Sequence, residues 1–168
     1  MTGGRRPPTR TARAAVALAL CLGLNGAPGM AQSQAQAPAA CPDPQAIEPV
    51  QLYGLWQVHL WPEGGNETQP ASRGALLFER HPEYPGSVRG ELRRTLDGQD
   101  LSAVVSGDAT DGVFNLDESA DGVTMSAVWE GQVQDCGRAI RGTRRTAEGQ
   151  PATEPLQQFH LFKRAGWQ

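Results

Sequence analysis

Ten residues, Leu52-Tyr-Gly-Leu-Trp-Gln-Val-His-Leu-Trp61, constrain this chain more than any other stretch. Successive side chains of a β-strand point to opposite faces. Leu52, Trp56, Val58 and Leu60 share one face, with Gly54 among them, and Tyr53, Gln57, His59 and Trp61 share the other. Period-two alternation in aromatic and β-branched residues predicts a half-buried strand. Such a strand needs neighbours for its edges and a cover for its apolar face.

The rest of the chain supplies both in kind. Residues 74–80 predict a second strand, 87–96 a third, 101–106 a fourth and 113–116 a fifth. Residues 123–130 predict a sixth, 136–144 a seventh and 156–164 an eighth. In the third, Val88, Leu92 and Leu96 oppose Arg89, Glu91 and Arg93; in the sixth, Val123, Met125, Ala127 and Trp129 oppose Thr124, Ser126 and Glu130. In the eighth, Phe159 and Leu161 oppose His160 and Phe162. Turns are predicted at 81–86, Asp97-Gly98, 107–112, Asp121-Gly122 and 131–135, with polar loops at 62–70 and 145–155. No amphipathic helix is predicted. Four prolines from Pro38 to Pro49 argue for an extended lead-in. Eight short strands joined by turns predict an all-β fold, an eight-stranded antiparallel up-and-down barrel, with a β-sandwich as the alternative.

The first 31 residues have the layout of a secretory signal peptide. Arg5, Arg6, Arg10 and Arg13 precede an apolar run at 14–24, and Gly29 and Ala31 mark a cleavage site. The run is too short to span a bilayer, which takes about 20 residues. Arg5-Arg6 is followed by Pro7-Pro8, which does not suit a twin-arginine signal. Bulky Leu20 before Cys21 disfavours a lipid anchor there. A low-complexity linker at 32–40 then leads to one domain at 41–168. The expected location is the periplasm or the exterior.

The leader carries four of the 15 basic residues and none of the 18 acids, so the mature chain holds 11 against 18 and is acidic. That excludes nucleic acid as an expected partner, because phosphate contacts need clustered positive charge. It also disfavours anionic membrane surfaces. Cleavage leaves Cys41 and Cys136, and an even pair in an exported chain predicts a disulfide.

Catalytic chemistry finds little to stand on. There is no Gly-x-Ser-x-Gly elbow. Carboxylates abound at Asp108, Asp111, Asp117, Glu118 and Asp121, but Asp108/Asp111 and Asp117/Asp121 are expected on turns at opposite ends of one short strand, where they do not meet as an acid/base pair. His59 and His160 are expected on an outer, solvated face. His81, Glu83 and Tyr84 gather an imidazole, a carboxylate and a phenol on one proline-stiffened turn, the loop candidates for function. Arg89, Arg93, Arg138, Arg141 and Arg144 are expected to form an outer basic band. Asn66-Glu67-Thr68 is a glycosylation sequon. No enzyme, metal or cofactor is expected. Trp56, Val58, Phe114, Met125 and Trp129 are expected to point inward, as plain core or as the wall of a ligand cavity.

Gly54-Leu55-Trp56 at the start of the first strand resembles the Gly-x-Trp signature of lipocalins and other calycins. That resemblance implies an indole plugging one barrel end, covered by an arginine from a late strand; Arg164 or Arg144 matches by position. The sequence shows no Thr-Asp-Tyr turn motif, and no helix is predicted after the eighth strand. Its architecture also resembles the small periplasmic metalloprotease inhibitors of the Inh type, though the predicted disulfide spans far more chain than theirs. The resemblances imply a non-enzymatic binding module for a small apolar ligand, or alternatively a periplasmic protease inhibitor or protein-interaction barrel that takes an exported protein as partner.

Overall fold

A computed structural model describes residues 41–164. The expected signal peptide and the linker lie outside the described residues, as does the question of an anchor at Cys21. Eight strands follow one another: β1 (Gly54–Pro62), β2 (Ser72–Arg80), β3 (Val88–Leu96), β4 (Gln99–Thr110), β5 (Val113–Ser119), β6 (Ala127–Gln134), β7 (Ala139–Thr146) and β8 (Gln157–Phe162). Each pairs antiparallel with the next, and β8 returns to β1, placing Val58 beside Leu161 and Leu60 beside Phe159. The result is a closed up-and-down barrel. Closure pairs both edges of every strand and leaves none exposed.

Two tight turns show why the meander folds this way. Asp97-Gly98 and Asp111-Gly112 have positive φ at both residues, 49° and 77° in the first and 51° and 79° in the second. That is the type I′ hairpin requirement, whose twist matches that of the flanking strands. The second turn is tighter than the one expected at 107–112. Strand β4 continues through Thr110, and β5 reaches Ser119 instead of stopping at Leu116.

Three other expectations need correction. The lead-in is not extended throughout: Pro44–Ala46 forms a 3₁₀ turn and Pro49–Leu52 one α-helical turn, α1. Proline is tolerated at the first helical position, where no intrahelical partner exists for its missing N–H. Leu52 therefore lies in α1 and not in β1, although it is fully buried. The sixth strand begins at Ala127, because Asp121 holds the preceding residues in a turn; Val123 is 90% exposed. The seventh begins at Ala139, since Cys136 sits in a 3₁₀ turn, Asp135–Gly137.

The barrel interior is filled by a column of rings. Trp56 meets Phe78, Phe78 meets Phe114, Phe114 meets Phe159 and Phe159 meets Trp129, with centroids 5.0–6.3 Å apart. The first three contacts are edge-on, which suits the ring quadrupole, and the last is tilted. Gly131 and Gly142 face each other across β6 and β7, and a methyl group on Gly131 would come within 2.9 Å of the Phe159 ring. Glycine makes the room that the ring occupies. An eight-stranded barrel is just wide enough for side chains to fill it.

Candidate functional site

An up-and-down barrel puts alternate connections at opposite ends, and here the two ends differ in chemistry. One end receives the lead-in and the β2–β3, β4–β5 and β6–β7 connections. The predicted Cys41–Cys136 disulfide is present, its Cα atoms 4.8 Å apart, and ties the lead-in to the β6–β7 turn. Pro44 lies against Gly112 and Ile47 against Gly137. Leu52 and Ile47 join the core from below. Gly54 has φ of 103°, a conformation open to glycine and strained for other residues. A methyl group placed on it would meet nothing within 4 Å, so the glycine serves the sharp entry into β1 and not a close packing contact.

Trp56 closes this end, donating its indole N–H to the Leu52 carbonyl at 2.7 Å. The side chain that covers it is Lys163, not the arginine expected at Arg164 or Arg144. The Lys163 Nζ lies 5.0 Å from the ring centroid and donates to the carbonyls of Gln51 (2.7 Å) and Tyr53 (2.9 Å). Burial lowers its pKa from the ordinary lysine value. Arg164 is exposed. Lys163→Met orphans two carbonyls and removes the cation from the ring, so a loss of about 1–2 kcal/mol is expected. A lower urea midpoint with unchanged slope is the readout.

The opposite end is polar. Ser72, Arg94, Glu118, Arg144 and Gln157 are the buried polar side chains among the described residues, and all lie on inward positions near this mouth. Glu118 accepts from Arg144 Nε (2.8 Å) and Nη2 (2.9 Å), and from the Trp129 indole (2.9 Å). Arg94 forms a two-pronged pair with Glu154, at 3.1 and 2.5 Å. Arg144 Nη1 lies 3.3 Å from Glu154 and donates to Gln157 at 3.2 Å. The cluster thus balances two guanidinium groups against two carboxylates. Burial works against the charged form of Arg144, but the hydrogen bonds and charge of Glu118 outweigh it and raise its pKa. Burial likewise opposes ionisation of Glu154, and Arg94 with Arg144 holds its carboxyl below the ordinary value.

Above this cluster lies a hollow of about 330 Å³, whose lining brings Leu92, Leu96, Leu101 and Ala103 together with Arg94, Arg144, Glu118 and Glu154. Its rim is stiffened by Asp121, whose carboxylate accepts from the backbone of Thr124 and Val123 and from the Ser119 hydroxyl. Those bonds hold Asp121 well below the usual carboxylate range. Another hollow, about 500 Å³, lies on the outer wall over Gly74, between Arg73, Arg93 and Asp100.

The expected site residues are dispersed over these places. Trp56, Val58, Phe114 and Trp129 are fully buried in the packed core. Met125 is 44% exposed near the mouth, because β6 starts two residues later, and does not point inward. His81, Glu83 and Tyr84 sit at the sealed end, where His81 Nδ1 accepts from the backbone of Glu83 (3.2 Å) and Tyr84 (3.1 Å). That imidazole organises its own turn. Asn66 does the same in its loop, accepting from Thr68 and Gln69. Of the expected arginine band, Arg89, Arg93, Arg138 and Arg141 lie outside, each paired with an acid. Arg144 points inward, and so does Glu118; Asp108 and Asp117, expected on turns, lie within β4 and β5.

His160 is less solvated than expected. Its Nδ1 lies 2.5 Å from Glu67, which also accepts from Arg141 at 2.7 Å. Burial opposes ionisation of Glu67, but the hydrogen bonds from Arg141 and His160 hold its pKa low. These bonds pin the β1–β2 loop to the outer wall. His59 stands beside Phe162, with its Nδ1 buried and unpartnered, and burial with nearby Arg73 lowers its pKa. Arg94, Glu154, Glu67 and Lys163 were not singled out from the sequence.

The class that fold and ends define is a closed eight-stranded antiparallel barrel, sealed at one end by a tethered lead-in and lined with paired charges at the other. This architecture is compatible with a calycin-like small barrel. No protein-family model matches the chain, and no curated protein matches it. No helix among the described residues is long and apolar enough to cross a membrane.

Proposed function

We propose that the protein is an exported, non-catalytic binding barrel that takes a small, largely apolar ligand at its charged mouth. The observation that carries this reading is the contrast between the ends. The lumen is occupied by aromatic side chains and one end is sealed, whereas the other opens on a hollow with a leucine wall and a few fixed polar groups. Small-molecule sites have that composition, an apolar surface with a few convergent polar atoms. A disulfide suits an oxidising compartment, in keeping with export.

1-Octanol is a simple probe of the leucine wall. A ligand that binds only the folded state stabilises it in proportion to the logarithm of its concentration, about 2.7 kcal/mol at a hundredfold excess over Kd. The expected result is a dose-dependent rise in melting temperature that Leu101→Trp, which fills the hollow, abolishes. A flat melting curve for the wild type contradicts the reading.

A second reading, a protein-interaction barrel of inhibitor type, is favoured by one observation. Leu77 and Val104 are 41% and 49% exposed on the outer wall, where they flank a shallow hollow beside Gly90. An inhibition assay against an exported metalloprotease, with Leu77→Asp as the control, separates it from the first.

A further inference from the structure

We propose that Glu154 is an internal stand-in for a ligand carboxylate, and that the mouth selects small monocarboxylates with a short apolar body. The inference rests on the reading of the mouth as the ligand-binding end and deepens it.

Glu118 and Glu154 enter the cluster from different kinds of element. Glu118 belongs to the β5 ladder, paired in register with Val105 and Ala127, so its position is set by the barrel wall. Glu154 comes from the β7–β8 connection. Of the residues from 148 to 156, it alone is not exposed. Its side chain is 13% exposed and reaches down to arginine side chains that are 3% and 6% exposed. The loop therefore delivers a single carboxylate into a site whose two arginines are fixed by the barrel.

The geometry at Arg94 is the two-pronged guanidinium–carboxylate pair, the arrangement by which arginine recognises planar carboxylates. Arg144 adds a third contact to the same Glu154 oxygen, 3.3 Å away. Leu92, Leu96 and Leu101 lie beside the pair and along the same hollow. A free carboxylate with an apolar tail can satisfy both surfaces, with its head where the Glu154 head now sits and its tail on the leucines. Charge balance favours the exchange, since one carboxylate replaces another over buried positive charge that is costly to leave unpaired. The loop then swings its own carboxylate into water. Occupied by Glu154, the site binds an outside carboxylate with an affinity reduced by the fraction of time the latch is open.

The experiment compares octanoate with 1-octanol on wild type and E154Q, by isothermal titration on the intact disulfide-bonded protein. Removing the internal carboxylate is expected to tighten octanoate binding by about tenfold or more, with little change for 1-octanol. E154D, whose shorter arm reaches Arg94 less well, falls between. Adding Arg94→Met to E154Q abolishes the gain. Equal tightening of both probes, or no change for octanoate while 1-octanol still binds, overturns the latch and leaves the mouth reading intact. Failure of both probes on both proteins overturns both. Should E154Q not fold, E154D carries the same comparison.

Discussion

Glu118→Ala lowers folding stability by about 3–5 kcal/mol, whereas Glu118→Gln combined with Arg144→Met costs about 1 kcal/mol or less. The asymmetry follows from what each change leaves behind. Glu118 accepts three hydrogen bonds, two from Arg144 and one from the Trp129 indole, while 4% exposed. Alanine strands a buried guanidinium and orphans the indole N–H, and the desolvation of both groups goes unrepaid. In the double variant the glutamine oxygen still accepts from Trp129, and methionine fills the arginine's volume without a charge. Glu154 keeps its pair with Arg94. Denaturation in urea at neutral pH reads both numbers. A loss below about 1 kcal/mol for the single variant means that water reaches the cluster.

Removing the Cys41–Cys136 bridge is the second large effect. The cysteines are 95 residues apart in sequence. Closing a loop of that length restricts the unfolded chain by about 4–5 kcal/mol in chain-entropy terms. The bridge also fixes the lead-in that carries Ile47 and Leu52 into the core and supplies the carbonyl that Trp56 bonds. Cys41→Ser with Cys136→Ser is expected to lose that amount, and reductant is expected to bring the wild type to the same unfolding midpoint. If reductant leaves the midpoint in place, the seal does not depend on the bridge.

Much of this was legible in the alternation of side chains. The inward parity of Trp56, Val58 and Leu60, of Val88 and Leu92, and of Ala127 and Trp129 is what the structure shows. Eight strands with turn chemistry between them suit a barrel or a sandwich, and the β1–β8 pairing decides for the barrel. The strand ends were less legible. Gly107 to Thr110 reads as a turn by composition but is held in β4 by pairing with β5, a tertiary effect. Val123 and Met125 alternate like a strand but have none to pair with, because the Asp121 turn carries them off the wall.

The charged mouth leaves a trace in the alternation of side chains. Arg94 has the parity of Leu92 and Leu96, Glu118 that of Phe114 and Leu116, and Arg144 that of Ile140. Opposite charges on inward positions of three strands imply pairing, since a lone buried charge is costly. Glu154 could not be found this way, because a loop has no parity. Nor could Lys163, whose role depends on where the end of β8 falls beside α1.

The most direct measurement follows the indole N–H resonances during a titration with 1-octanol. The Trp129 indole bonds Glu118 at the floor of the mouth, and the Trp56 indole bonds Leu52 at the sealed end. The account predicts that the Trp129 resonance moves with saturation while that of Trp56 stays fixed. Movement of Trp56 with Trp129 unchanged, or no movement of either, contradicts a ligand site at the charged mouth.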